Sequence, residues 1–258
     1  MCDCRWVILF GGAGREGIVL RMLQEGVAVD RVIVPARKSE KLNDSIDRLR
    51  QSGVPIMEVS RSGVADIPRE IGEDGLERVC LLSVGFPYII PETVFSRFRV
   101  AWNIHPTLLP AYRGPTSGAY ILINGEEYSG STVHVMEREM DSGAIVAQKS
   151  VPLSPFDTIR SMQRKVYAIE PDLIMEALDN ARKGKLPVPQ DESRASSYPH
   201  GRTPEDSVLD PSKPLLELVN HIRACDEEEY PAFFYYHGQK VYIKLWREDK
   251  PECESDCI

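Results

Sequence analysis

Asn103 and His105 are the side chains of this 258-residue chain that could most readily do chemistry together. They lie two apart in the extended run Val100-Ala101-Trp102-Asn103-Ile104-His105. Alternate residues of an extended backbone point the same way, so both face one space. An amide N–H can polarise a carbonyl oxygen, and an imidazole titrating near about 6.5 can take or return a proton close to neutrality. Buried side by side in a core, each would need a hydrogen-bond partner, and a satisfied core pair is the simpler reading of these two residues alone. The next residues shift the balance. Pro106, Pro110 and Pro115 exclude a helix through Thr107-Leu108-Leu109-Pro110-Ala111-Tyr112-Arg113-Gly114-Pro115. Such a pinned, irregular stretch suits the rim of a site.

A second candidate is the cluster Gly12-Ala13-Gly14-Arg15-Glu16-Gly17, which matches G-x-G-x-x-G between a strand and a helix. It reads either as a phosphate cradle at a helix N-terminus or as a tight strand-to-helix turn. A dinucleotide site also wants an acidic residue about 20 positions on. Pro35-Ala36-Arg37-Lys38 is basic there, so only an NADP-type reading survives.

The elements that must position these residues follow from the hydrophobic pattern. Trp6 to Phe10 is a continuous apolar run that suits a buried parallel strand, and Ile18 to Gln24 is a helix with Val19, Leu20 and Leu23 on one face. Arg31 to Val34, Val54 to Val59 and Val79 to Val84 read as further strands, with a helix from Lys41 to Gln51. This order predicts an α/β fold, a Rossmann-like, doubly wound, mostly parallel sheet. Ser117 to Asn124 can be helical, and Ser131 to Met136 and Ala144 to Lys149 read as two strands joined by Glu137 to Gly143. Asp157 is the expected cap of a helix reaching about Lys183, kinked or split at Pro171. Residues 186–214 hold six prolines and read as a linker. Leu215 to Ala224 is helical, and Ala232 to Tyr236, His237-Gly238 and Val241 to Trp246 form a β-hairpin before a polar, frayed tail. The division expected is a catalytic domain over 1–185 and a small C-terminal extension with the hairpin over 186–258.

Composition excludes more than it assigns. With 31 Lys+Arg against 39 Asp+Glu, the net charge of −8 disfavours a nucleic-acid partner. No run approaches the roughly 18 apolar residues of a membrane span, and the N-terminus does not read as a signal peptide. Cys2, Cys4, Cys80, Cys225, Cys253 and Cys257 read as reduced thiols of a cytoplasmic protein, with no metal site implied.

The run Asn103-Ile-His-Pro-Thr-Leu-Leu-Pro-Ala-Tyr-Arg-Gly114 resembles the signature of the folate-dependent formyltransferases. It is followed at a similar spacing by Gly130-Ser-Thr-Val-His134-Val-Met-Glu-Arg-Glu-Met-Asp141-Ser-Gly143. The resemblance covers about residues 5–180. It implies a Rossmann-like domain, N10-formyltetrahydrofolate as donor, and Asn103, His105 and Asp141 as the catalytic set. Asn103 would then donate to the formyl oxygen, His105 would take the proton of the attacking amine, and Asp141 would orient the imidazole. His134 also matches, in a supporting place. By the same resemblance Phe86, Pro87, Tyr88, Ile89 and Ile90 hold one side of the pterin, and Glu137 and Met140 belong to the loop on its other side. Phe86 and Ile90 are equally readable as core.

The acceptor follows from departures within that family. Tyr112-Arg113-Gly114 and the length separate the chain from glycinamide ribonucleotide enzymes, and residues 190–258 are short for the barrel of methionyl-tRNA enzymes. Ser197 to Asp206, Ile222-Arg223-Ala224 and Glu229 to Phe233 resemble sugar N-formyltransferases. That implies a nucleotide-linked amino sugar as acceptor, for bacterial surface polysaccharide, with Gly12, Gly14, Arg113, Gly114, Tyr198 and Arg202 as candidate contacts. The aromatic hairpin and the family together imply a homodimer. A methionyl-tRNA enzyme and an NADP-binding oxidoreductase or sensor are the alternatives.

Overall fold

A computed structural model describes residues 4–198, 200–254 and 257–258. Cys2, named above, and Pro199, within the Ser197 to Asp206 segment, lie outside the described residues. The chain forms two compact units that interleave in sequence. One gathers the residues up to His105, Ser131–Lys149 and Tyr167–Glu192; the other gathers Pro106–Gly130, Ser150–Val166 and Ser193–Ile258.

The first unit is built on a sheet. Its strands and helices run β1 (Arg5–Phe10), α1 (Gly17–Gln24), β2 (Val29–Pro35), α2 (Glu40–Gln51), β3 (Ile56–Val59), α3 (Ile67–Ile71), β4 (Val79–Val84), α4 (Glu92–Phe95) and β5 (Val100–His105). After α5 (Gly118–Ile123), which belongs to the second unit, come β6 (Tyr128–Val135), β7 (Ile145–Pro152) and α6 (Ile159–Arg182). The strand order is β3-β2-β1-β4-β5-β6-β7, parallel from β3 to β5 and antiparallel at β5–β6. The Rossmann-like fold read from the pattern is therefore present.

Strand alternation divides the core in two. Trp6, Ile8 and Phe10 of β1, with Cys80, Leu82 and Val84 of β4 and Trp102 and Ile104 of β5, enter the layer covered by α1, α2 and the later part of α6. Val7, Leu9, Leu81 and Ala101 enter the opposite layer, covered by α3 and α4. Both faces are apolar because both are covered, and burying each such Leu or Ile contributes about 1.5–3 kcal/mol. Asn103 and His105 fall on the second face, in line with Ala101. That row leaves the apolar layer at the strand's C-terminal end.

Several local expectations need correction. The cap of α6 is Thr158: its Oγ1 accepts from the Ser161 N–H at 3.3 Å while its own N–H donates to Ser161 Oγ at 2.9 Å. Asp157 is instead a buried acceptor for Lys165 Nζ at 2.6 Å and Ser161 Oγ at 2.7 Å. Pro171 lies inside α6 and does not split it. The tail is tied down as well: the Ile258 N–H donates to the Phe156 carbonyl at 2.9 Å, and Arg247 stacks 4.0 Å from the Phe156 ring. The helices α3 and α4 had no sequence signal, since five and four residues are too few to display a period.

In the second unit, α7 (Leu215–Arg223) supplies Leu218 and Ile222 to a small core with Leu209, Cys225 and Ala232. The hairpin of β8 (Phe233–Tyr236) and β9 (Gln239–Tyr242) turns on His237 and Gly238, both at positive φ, as a two-residue hairpin loop requires. Phe234 and Ile243 pack on that core, while Tyr235, Tyr236, Tyr242 and Trp246 are exposed.

Candidate active site

Loops after β1 and β4 meet at the C-terminal edge of the parallel strands. The strand order reverses direction between β1 and β4, and such a switch point opens a crevice where open α/β sheets bind ligands. The Gly11–Gly14 turn and the Gly85 turn abut there. A Cβ on Gly11 would lie 2.6 Å from Pro87 Cδ and 2.7 Å from the Gly85 oxygen, and one on Gly85 would lie 2.9 Å from Gly12 Cα. These glycines permit close packing of two loops. The N–H groups of Gly11 and Gly12 both donate to the Val84 carbonyl at 3.0 Å, and that of Gly14 donates to Ser45 Oγ at 2.9 Å. Those donors are committed within the protein, which favours the tight-turn reading over the phosphate cradle.

Asn103, His105 and Asp141 do come together. His105 Nδ1 is 3.6 Å from Asp141 Oδ2, and Asn103 Nδ2 is 3.4 Å from Asp141 Oδ1. Asn103 is paired across the antiparallel rung with His134 of β6, and its Nδ2 is 3.1 Å from His134 Nε2. His134 Nδ1 is 2.9 Å from the Val135 carbonyl and must donate to it, so Nε2 is the ring's acceptor for the Asn103 amide. His134 Nε2 also stands 3.5 Å from Asp141 Oδ1. The place of Asp141 in this cluster could not be read locally from sequence; the 136–144 turn supplies it.

That turn is held under constraint. Asp141 has φ 56°, a left-handed conformation that Asp tolerates better than most residues. Gly143 passes so close to β6 that a Cβ would stand 1.9 Å from the Val135 oxygen. Gln190 Nε2 donates to the carbonyls of Asp141 at 2.8 Å and Gly143 at 2.7 Å. Gln190 carries no sequence signal for this role, because it sits in a proline-rich stretch that reads as a linker, 49 positions from Asp141.

The candidate donor loops combine anchored and exposed apolar residues. Phe86, Tyr88 and Ile90 pack on the layer beneath, with Phe86 and Tyr88 edge to face at 5.4 Å, so the core reading of Phe86 and Ile90 holds in part. Pro87 is exposed, Ile89 is 77% exposed, and on the other loop Glu137 is exposed and Met140 is 53% exposed. Large apolar side chains held open on two anchored loops fit a flat heterocycle.

Among the other candidates, Gly12 and Gly14 belong to the first unit, and Arg113, Gly114, Tyr198 and Arg202 to the second. Within the second unit the latter group is gathered. The Arg113 N–H donates to the Ser196 carbonyl at 2.9 Å, and the Tyr198 N–H donates to the Arg113 carbonyl at 2.8 Å. Gly114 turns the chain at φ 104°. The Tyr198 ring stacks between Tyr112 at 5.7 Å and Tyr120 at 4.0 Å, and Arg202 lies 5.9 Å over Tyr120. Burial, with hydrogen bonding to Glu126, pushes the Tyr112 hydroxyl up to about 12. A cavity of about 310 Å³ in this unit is lined by Arg223, Lys244 and Tyr242 and by none of the three catalytic candidates. No His, Cys, Asp and Glu cluster suited to a metal ion occurs among the described residues.

Residues 7–178 match the formyl transferase family, two thirds of the chain. This chain belongs to that family. One relative, the methionyl-tRNA formyltransferase of Roseiflexus castenholzii, is 42% identical over 125 residues, covering 48% of this chain and 40% of the relative. The chain spans about half the length of the curated relatives it matches. Two solved structures share the fold. A sugar N-formyltransferase from Shewanella has a TM-score of 0.74 at 20% identity, covering 97% of this chain and 100% of that one. HypX from Aquifex aeolicus, in complex with tetrahydrofolic acid, has a TM-score of 0.63 at 19% identity, covering 93% of this chain and 37% of that one.

Proposed function

We propose that this formyl transferase moves a formyl group from N10-formyltetrahydrofolate to the amino group of a nucleotide-linked amino deoxysugar. The observation that carries the transfer chemistry is the convergence of Asn103, His105 and Asp141 at the open end of β5. When bound, the donor supplies a formyl carbon open to attack by an amine. Asn103 donates an N–H to the formyl oxygen, where negative charge develops, turning the long 3.4 Å contact with Asp141 toward the substrate. Asp141 Oδ2 faces His105 Nδ1, so that nitrogen carries the proton and Nε2 is left as the base. His105 takes the amine proton as the new C–N bond forms, and returns a proton to the departing nitrogen as the old C–N bond breaks. Asp141 stabilises the imidazolium between those steps. His134 holds the Asn103 amide from the far side. Phe86, Pro87, Tyr88, Ile89 and Ile90, with Glu137 and Met140, would hold the donor's ring.

Support for a sugar acceptor comes from charge and from one aromatic cluster. A net charge of −8 is a poor counterpart for the phosphates of a tRNA. The Tyr112–Tyr198–Tyr120 stack with Arg202 offers aromatic faces and a cation of the kind that nucleotide recognition uses. A role in surface polysaccharide synthesis in the cytoplasm, by a homodimer, completes the proposal. No described helix is long and apolar enough to cross a membrane. The deciding assay supplies N10-formyltetrahydrofolate with nucleotide-linked amino sugars in one series and methionyl-tRNA in another. Turnover with methionyl-tRNA and none with any sugar would overturn the acceptor assignment.

A further inference from the structure

Arg15 is the least expected residue of the glycine-rich turn, because its guanidinium is buried in the first unit. It makes a bidentate pair with the fully buried Glu170 of α6, Nε to Oε2 at 2.7 Å and Nη2 to Oε1 at 2.6 Å. Burial alone would lower the Arg15 pKa, and the Glu170 charge and hydrogen bonds outweigh it, so the group stays above the ordinary arginine value. The pair does not end on itself. Arg15 Nη2 also donates to the Ile104 carbonyl at 3.1 Å. Ser131 Oγ, on β6, lies 2.8 Å from Glu170 Oε1 and 3.0 Å from the His105 carbonyl, sharing its single proton between them. A Cβ built on Gly85 would come 3.2 Å from Arg15 Nη1, so the same guanidinium lies against the turn that begins the candidate donor loop.

We propose that Arg15, Glu170 and Ser131 are positioning residues that fix the last two residues of β5, and with them the His105 imidazole, relative to the Gly85 turn. The role assigned to His105 rests on the function proposed above; the placement of its backbone does not. The carbonyls of Ile104 and His105, the last two residues of β5, are both held by this one ion-paired network, beside the strand's pairing to β4 and β6. A replacement ion pair elsewhere in the core would serve stability equally well, and buried pairs are often neutral for stability against apolar substitutes. What this pair adds is a fixed distance between the donor side and the proton-transfer side of the reaction. A misplacement of about 1 Å at reacting groups can cost about a hundredfold in rate.

The test compares Ser131→Ala, Ser131→Thr and Glu170→Gln with Ser129→Ala in the full chain. Ser129 is as buried as Ser131 and lies on the same strand, but its Oγ has no hydrogen-bond partner among the described residues. Ser131→Ala is expected to lower kcat about tenfold with KM for the donor within about twofold, Ser131→Thr to recover most of it, and Ser129→Ala to leave both unchanged. The His105 imidazole signals, followed by NMR, should move in Ser131→Ala and Glu170→Gln and stay in place in Ser129→Ala. Should Glu170→Gln fail to fold, Ser131→Ala carries the comparison. Equal kcat and unmoved His105 signals in Ser131→Ala and Ser129→Ala would overturn the positioning role. If the unaltered protein turns over no formyl donor, the function proposed above fails, and the imidazole signals alone still decide this inference.

Discussion

Gly143→Ala tests the geometry of the site through a single methyl group. The added Cβ would sit 1.9 Å from the Val135 carbonyl oxygen, where about 3.0 Å is the closest tolerable approach. The 141–143 turn must therefore lift by roughly 1 Å or β6 must give way, and β6 is the less able, being paired to β5 through Val135↔Trp102 and His134↔Asn103. Lifting the turn moves Asp141 from His105 and Asn103, already at 3.6 and 3.4 Å, and strains both hydrogen bonds from Gln190. A shift of that size at reacting groups predicts about a hundredfold loss in kcat, with roughly 1–3 kcal/mol of stability lost to overpacking. The assay is formyl transfer under saturating donor, paired with denaturant unfolding to count folded molecules. Gly14→Ala is the control: with φ 78° and no atom within 4 Å, it carries a backbone penalty of about 1 kcal/mol and no clash. A Gly143→Ala protein with native stability and kcat within twofold of the unaltered protein would refute the geometry.

His105→Ala and Asn103→Ala should each fold and lose about two or more orders of magnitude in turnover, checked by steady-state kinetics beside circular dichroism. Asp226→Asn probes the other unit: burial pushes the Asp226 carboxyl up, but hydrogen bonds from Arg160 at 2.8 Å and from two backbone N–H groups more than reverse this, to about 2. A depressed carboxyl stabilises above its unfolded pKa and loses that contribution as pH falls toward 2. The variant should thus be less stable at pH ~7, with the gap closing below about 4, as read from urea unfolding at each pH. NADPH titration followed by fluorescence should detect no tight binding, since the N–H groups of Gly12 and Gly14 are spent on Val84 and Ser45. Sedimentation at micromolar protein should find a dimer covering Tyr235, Tyr236, Tyr242 and Trp246, and a monomer at every concentration would reject that assembly.

The parallel sheet was legible in the sequence because buried strands are continuous apolar runs, and β1, β2 and β4 are strands of that kind. The shared face of Asn103 and His105 was legible for an equally local reason, the two-residue period of an extended chain. The sequence also carried the two motifs by which the chain resembles its family, and with them the suggestion that Asp141 belongs beside these residues. It could not supply the contact. That depends on a turn whose φ at Asp141, close passage at Gly143 and tether to Gln190 are each set by atoms remote in sequence. The glycine cluster illustrates the same limit. Its spacing is compatible with a phosphate cradle, but the hydrogen-bond partners of its N–H groups lie on β4 and α2, and only the folded chain brings those partners to it. Arg15 lay in plain view within that motif, yet its partner Glu170 is 155 residues away. Periodicity along the chain fixes which way a side chain points; what it meets there is decided by tertiary packing.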